Sequence, residues 1–158
     1  NASADCIVLC ANTLHQYVDR LIEEVNLPIV HIADATAVEI KKLGLSTIGL
    51  LGTKFTMELD FYTSRLSDAN IKSLVPERPE RLFIHNTIMD ELLKEIYKPE
   101  SKKRFLEIIN DLEQKGAQGI VLGCTEIPLL INQADTHLPV FNTLKIHAKA
   151  AVDFAIKD

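Results

Sequence analysis

The sequence predicts an α/β fold of two related lobes, with largely parallel sheets flanked by helices. Three observations carry this reading. Cys6 to Leu9, Thr47 to Leu51 and Ile120 to Leu122 are continuous apolar runs, the mark of strands covered on both faces. Segments with apolar residues at helical spacing lie between them. The order strand, Cys, Thr, Leu-Pro, strand also occurs twice. Asp5 to Cys10 followed by Leu27-Pro28-Ile29-Val30 is matched by Gly119 to Cys124 followed by Leu138-Pro139-Val140-Phe141.

Along the chain, Leu14, Tyr17, Val18, Leu21, Ile22 and Val25 predict a helix after the first strand, and Pro28 to Val30 a short strand. A helix over Ala37 to Leu43 ends at Gly44, which serves as its C-terminal cap. Thr47 to Leu51 is the next strand, and Gly52-Thr53 leads into a helix carrying Phe55, Leu59 and Tyr62. The polar stretch around Pro76 and Pro79 resets the pattern. Ile84, Ile88, Leu92 and Ile96 then mark one helix, and Phe105, Ile108, Ile109 and Leu112 a second that ends at Gly116; Pro99 and Ser101 separate the two. After Ile120 to Leu122 come a short strand at Pro139 to Phe141 and a helix built on Leu144, Ala148, Ala151, Val152 and Ala155.

A chain of 158 residues that is 47% hydrophobic can bury one substantial core or two lobes sharing one. The net charge of −5, with scattered basic residues, gives no positive stripe for a phosphate backbone, so no nucleic acid partner is expected. No apolar run approaches membrane-spanning length, and Asn1 to Asp5 lacks the charged and apolar pattern of a secretory leader; a cytosolic (cytoplasmic) location is expected. Three cysteines, Cys6, Cys10 and Cys124, are too few and too far apart for a disulfide framework or a zinc cage. A thiol used for chemistry stays open.

Ligands of open α/β sheets sit beyond the carboxyl ends of the strands, where Cys10 and Cys124 fall, each directly before a predicted helix. A helix N-terminus favours a thiolate through its unpaired N–H groups. Cys6 lies inside its strand and reads as a small buried hydrophobe. From spacing alone, Cys10 and Cys124 suit packing as well as they suit chemistry.

The flanking residues are more specific. Cys10-Ala11-Asn12-Thr13-Leu14-His15 and Gly123-Cys124-Thr125-Glu126-Ile127-Pro128, with the loop Leu50-Leu51-Gly52-Thr53-Lys54-Phe55-Thr56-Met57 between them, resemble the motifs of the cofactor-independent aspartate/glutamate racemases. Pro139 to Thr143 and Ile146 to Asp153 resemble that family's C-terminal segment, with Asn142 where an Asp is more usual. The resemblance covers the whole chain. It implies racemisation of aspartate or glutamate by Cys10 and Cys124 without pyridoxal phosphate or metal, and a homodimer. It also implies a first lobe of residues 1–42 completed by 143–158, and a second of 43–142.

Racemisation fits two opposed thiols, since one must take a proton from one face of Cα and the other deliver a proton to the opposite face. Asn12, Thr13 and Thr125, with Thr53 and Thr56, are candidates to hold the α-carboxylate and the developing enediolate. His15 and Glu126 are candidates to tune the thiols, each with a plain structural alternative. Lys94 lies where the family often pairs a lysine with the distal carboxylate, and reads equally as a solvated helix lysine. The family's usual first strand and glycine-rich loop do not precede Asn1, so a truncated chain with weak substrate binding is expected. The alternatives are a related two-cysteine isomerase or decarboxylase, and a fragment without catalysis.

Overall fold

The computed structural model describes residues 3–156; Asn1, Ala2, Lys157 and Asp158 lie outside it. A 3-10 turn over Asn12–Tyr17 runs into α1 (Val18–Glu24), followed by α2 (Ile32–Lys42), β1 (Thr47–Gly52), α3 (Lys54–Glu58), α4 (Asp60–Asp68) and β2 (Lys72–Leu74). Next come α5 (Arg78–Asp90), α6 (Pro99–Gln114), β3 (Ile120–Gly123), α7 (Ile127–Leu130), β4 (Val140–Asn142) and α8 (Thr143–Ala155). The strands form one parallel sheet in the order β2-β1-β3-β4. No helix among the described residues is long and apolar enough to cross a membrane.

Period-two alternation sorts the strand residues between two apolar layers. Leu51, Ile120 and Leu122 face α5 and α6, packing with Ile84, Ile88, Phe105, Ile108 and Leu112. Ile48, Leu50, Val121 and Phe141 face α2 and α4, packing with Ile32, Ala37, Ile40, Tyr62 and Leu66. Gly44 and Gly116 both take the positive φ expected of helix-ending glycines, at 68° and 100°. The fully buried Tyr62 hydroxyl donates to Thr36 Oγ1, which donates to the carbonyl of Ile32. Its polar tip is therefore satisfied inside the apolar layer.

The repeat has a structural counterpart. In the first copy Ile7 N–H donates to the carbonyl of Pro28 at 2.9 Å, and in the second Ile120 N–H donates to that of Pro139 at 2.8 Å. Only the second becomes a ladder. Cys6 to Leu9, expected as a buried strand, is half-buried and pairs through a single parallel bridge, Ile7 to Ile29. The second copy has the same proline, Pro139, and still pairs over three residues, because β3 is also held by β1 on its other side, whereas the first copy lies outside the four-stranded sheet.

Other departures have local causes. The helix expected through Ile96 breaks at Glu91, and Glu95 is left-handed at φ 59°. Ser101, expected with Pro99 to separate the two helices, lies inside the first turn of α6 and donates to Glu91 Oε2 at 2.6 Å. Pro79 opens α5, where a missing N–H costs nothing. The short edge strand β2 and the one-turn α7 carry too few residues to show a period. In the 3-10 turn with α1, and in α8, much of the expected apolar face is turned out: Tyr17, Ile22, Leu144 and Val152 are exposed, while Asn12, His15, Thr143 and His147 are buried beside Val18. Hydrogen bonds from these polar side chains to strand-end carbonyls fix that orientation.

β1 and β3 run in register to their last residues, Gly52 opposite Gly123. A Cβ on Gly52 would lie 2.8 Å from the carbonyl oxygen of Gly123 and 3.0 Å from Thr56 Cβ, so no larger residue fits without moving backbone. Gly52→Ala is expected to destabilise the fold by about 1–3 kcal/mol through overpacking, read by urea denaturation. Gly44→Ala meets no atom within 4 Å and is expected to cost only about 1 kcal/mol, from its left-handed backbone. Equal stability of Gly52→Ala and the unaltered chain would show that the two strand ends are not locked together.

Candidate active site

Cys124 follows the last residue of β3, and the Gly52–Gly123 pairing makes it a neighbour of Thr53, the residue that follows β1. It is 7% exposed. Its thiol donates to Glu126 Oε2 at 2.9 Å, and Thr125 Oγ1 donates to Glu126 Oε1 at 2.7 Å, so one carboxylate engages both side chains that precede it. Burial, reinforced by the hydrogen bond to that carboxylate, pushes the thiol up to about 12. The expectation of a helix-lowered thiolate is therefore reversed at Cys124. Backbone N–H groups of Glu126 and Ile127 do pull downward, but α7 has only four residues and burial outweighs them.

Cys10 is exposed, with its sulfur 3.8 Å from the carbonyl of Val8. A 3-10 turn, not an α-helix, follows it. That turn carries Thr13 to Thr53: their hydroxyl oxygens are 3.3 Å apart, and Thr53 Oγ1 is 3.4 Å from Thr56 Oγ1. Thr53 stands at the N-cap position of α3 without capping it, which leaves its hydroxyl in this chain of three. The segment after Cys10 and the loop after β1 thus meet through hydroxyl groups.

Asn12 is 4% exposed. Its Nδ2 donates to Thr143 Oγ1 at 3.1 Å, and Thr143 Oγ1 donates to the carbonyl of Leu122 at 2.8 Å. This relay runs from two residues after Cys10 to two residues before Cys124. The fully buried Thr143 begins α8, whose N-cap is Asn142, accepting from Lys145 N–H at 3.1 Å. Asn142 thus caps the helix through the same acceptor oxygen an Asp would supply.

His15 is buried behind the Cys10 segment, its Nε2 3.2 Å from the carbonyl of Leu9. It packs edge-on against His31 and His147, with ring centroids at 4.4 and 5.3 Å. Burial, and then its histidine neighbour, lower His15 to about 4 and His31 to about 3, so both are neutral near pH 7. His147 donates from Nε2 to the carbonyl of Val30 at 2.7 Å.

The structure therefore groups Thr13 with Thr53 and Thr56, and Cys124 with Thr125 and Glu126. Lys94 stands apart from both groups in its contacts. It is exposed on the 3-10 turn after α5 and pairs with Asp90 at 3.4 Å, while its turn packs against α7 just beyond Glu126. Sequence reasoning missed Thr143 and His31. Each sits beside a helix start, and a capping signal at Asn142 and at His31 could have drawn attention there.

The sequence matches the Asp/Glu/Hydantoin racemase family over residues 1–151. Among curated relatives, the glutamate racemase of Hydrogenobaculum sp. (strain Y04AAS1) is 26% identical over 144 residues, covering 90% of this chain and 54% of that protein. The chain spans about half the length of the curated glutamate racemases it matches. A Yersinia pestis structure described as a candidate Asp/Glu racemase is 44% identical with a TM-score of 0.94, covering 99% of this chain and 68% of that one. An aspartate racemase homologue from Pyrococcus horikoshii OT3 is 38% identical with a TM-score of 0.89, covering 99% and 69%. The glutamate racemase of Francisella tularensis, 16% identical with a TM-score of 0.71, shares the fold. With the parallel sheet and its flanking helices matched over nearly all of its length, the chain belongs to the Asp/Glu/Hydantoin racemase family.

Proposed function

We propose that this chain carries the catalytic part of a racemase for an acidic amino acid, with Cys10 and Cys124 as its two acid/base groups and no cofactor. The observation that carries the reading is that each thiol ends one copy of the same strand-to-cysteine repeat, and that Asn12, Thr143 and Leu122 tie the two ends together. Family membership supports the reaction class. The expected two-lobe division, homodimer and cytoplasmic setting belong to the same proposal.

The chemistry follows from the different settings of the two thiols. Cys124 is the protonated partner, held by Glu126. In one direction the Cys10 thiolate takes the α-proton, forming S–H as the Cα–H bond breaks, and the electron pair moves into the carboxylate. The Cys124 S–H then delivers its proton to the opposite face of Cα. Hydroxyl groups of Thr13, Thr53, Thr56 and Thr125 are suited to hold the enediolate oxygens. Asn12 serves through its side-chain amide, which anchors to Thr143, and Lys94 is the candidate for the distal carboxylate.

Three measurements test this reading in the longest natural form of the chain. In deuterated water, α-proton exchange of L- and D-aspartate and of L- and D-glutamate is expected, with hydantoins and aryl malonates as the competing substrates. Cys10→Ser and Cys124→Ser should each lower racemisation by at least about 100-fold while retaining exchange from one enantiomer, opposite for the two variants. Normal racemisation by either variant would remove the two-thiol mechanism, and turnover of only hydantoins or malonates would replace the substrate. Glu126→Gln removes the carboxylate charge beside Cys124, so the pH profile of Cys124 alkylation should move to lower pH. An unmoved profile would mean that Glu126 does not hold this proton.

A further inference from the structure

The three buried histidines hold a donor and an acceptor that match each other. His31 Nδ1 accepts the N–H of Ala33 at 3.1 Å as the N-cap of α2, so in the neutral ring the proton is on Nε2. His15 Nε2 faces the carbonyl of Leu9, which only accepts, so His15 also carries its proton on Nε2 and its Nδ1 is a bare acceptor. His31 Nε2 and His15 Nδ1 are both buried without another partner. Their rings are neighbours, with centroids 4.4 Å apart and planes at 63°. Unpaired buried polar atoms are costly, and an N–H beside a bare imidazole nitrogen is the complement that removes both costs. The two nitrogens are not bonded as they stand, and a ring rotation that brings them together would satisfy both.

The consequence reaches the thiol. The Leu9 carbonyl belongs to the peptide group that continues into Cys10, and His15 is the side chain bonded to it. Without a donor at its Nδ1, neutral His15 is free to move its proton from Nε2 to Nδ1 and lose the Leu9 carbonyl. We propose that His31 is a positioning residue for Cys10: through His15 it fixes the peptide plane at the end of the first strand, and so the direction of the thiol. This rests on the racemase reading for its catalytic consequence, but not for its structural content.

The test separates the two jobs of His31. His31→Asn keeps an acceptor near the Nδ1 position, so the cap on Ala33 survives, and loses the Nε2 donor. His31→Gln keeps a donor near the Nε2 position and loses the cap. Nitrogen-15 NMR of the imidazoles at neutral pH is expected to show His15 protonated on Nε2 in the unaltered chain and in His31→Gln, and mixed in His31→Asn. Thermal unfolding should rank them in the opposite order, with His31→Gln the less stable. On the racemase reading, His31→Asn lowers kcat about tenfold for the direction in which Cys10 removes the proton, with KM nearly unchanged. Protonation of His15 on Nδ1 in the unaltered chain, or a His15 tautomer indifferent to His31→Asn, would overturn the proposal. The tautomer result stands whether or not any amino acid is turned over. If it holds and no exchange is seen with aspartate or glutamate, the failure belongs to the substrate reading alone.

Discussion

The parallel pairing of β1 with β3, in register from Gly49 and Ile120 to Gly52 and Gly123, is the constraint on which the rest of the molecule depends. It is the central pair of the sheet, so both apolar layers are built outward from it. Its two terminal glycines bring the strands' ends within backbone contact. Whatever follows those glycines is therefore delivered to one place: Thr53 from one strand and Cys124 from the other. The 3-10 turn after Cys10 then attaches to that place through Thr13.

The central pair β1 and β3 was legible because both strands are apolar runs with no charged interruption, whereas the edge strand β2 was not. Leu50, Leu51, Val121 and Leu122 are fully buried, and their runs are too short for helices and lie between segments of clear helical period. Gly44 and Gly116 were legible for a second reason, since a left-handed helix end has one preferred residue. The first copy of the repeat was less so. Its sequence matches the second, yet a strand forms only where partners extend the ladder, and pairing is not written in the strand itself. The motifs around Cys10 and Cys124 named the candidate residues, but not their surroundings. That Cys124 is buried against Glu126, and so held as a thiol, depends on a fold-level burial that a local motif does not carry.

The helix faces mark the other limit of pattern reading. Leu14, Tyr17, Leu144 and Val152 have the spacing of a core stripe, yet their helices bury Asn12, His15, Thr143 and His147 instead. Burying an imidazole or an amide is unfavourable unless its hydrogen bonds are met, and here the carbonyls of Leu9, Leu122 and Val30 accept from His15, Thr143 and His147, while Thr143 accepts from the Asn12 amide. A hydropathy scale scores the side chain alone. The carbonyl that makes its burial tolerable comes from another part of the chain, 117 residues away for His147.

That separation bears on when the site comes into being. Asn12 and its partner Thr143 are 131 residues apart, so the anchor of the Cys10 segment closes a long loop. β1, β2 and β3 and the helices between them all precede α8 in the chain, so their pairing does not require it. The thiol-bearing segment can meet Thr53 through Thr13 beforehand, but it gains its Asn12 anchor only when α8 docks. A chain interrupted before residue 143 would keep the central strands and lose that anchor, so the fixing of the Cys10 segment waits on a helix far from it in sequence.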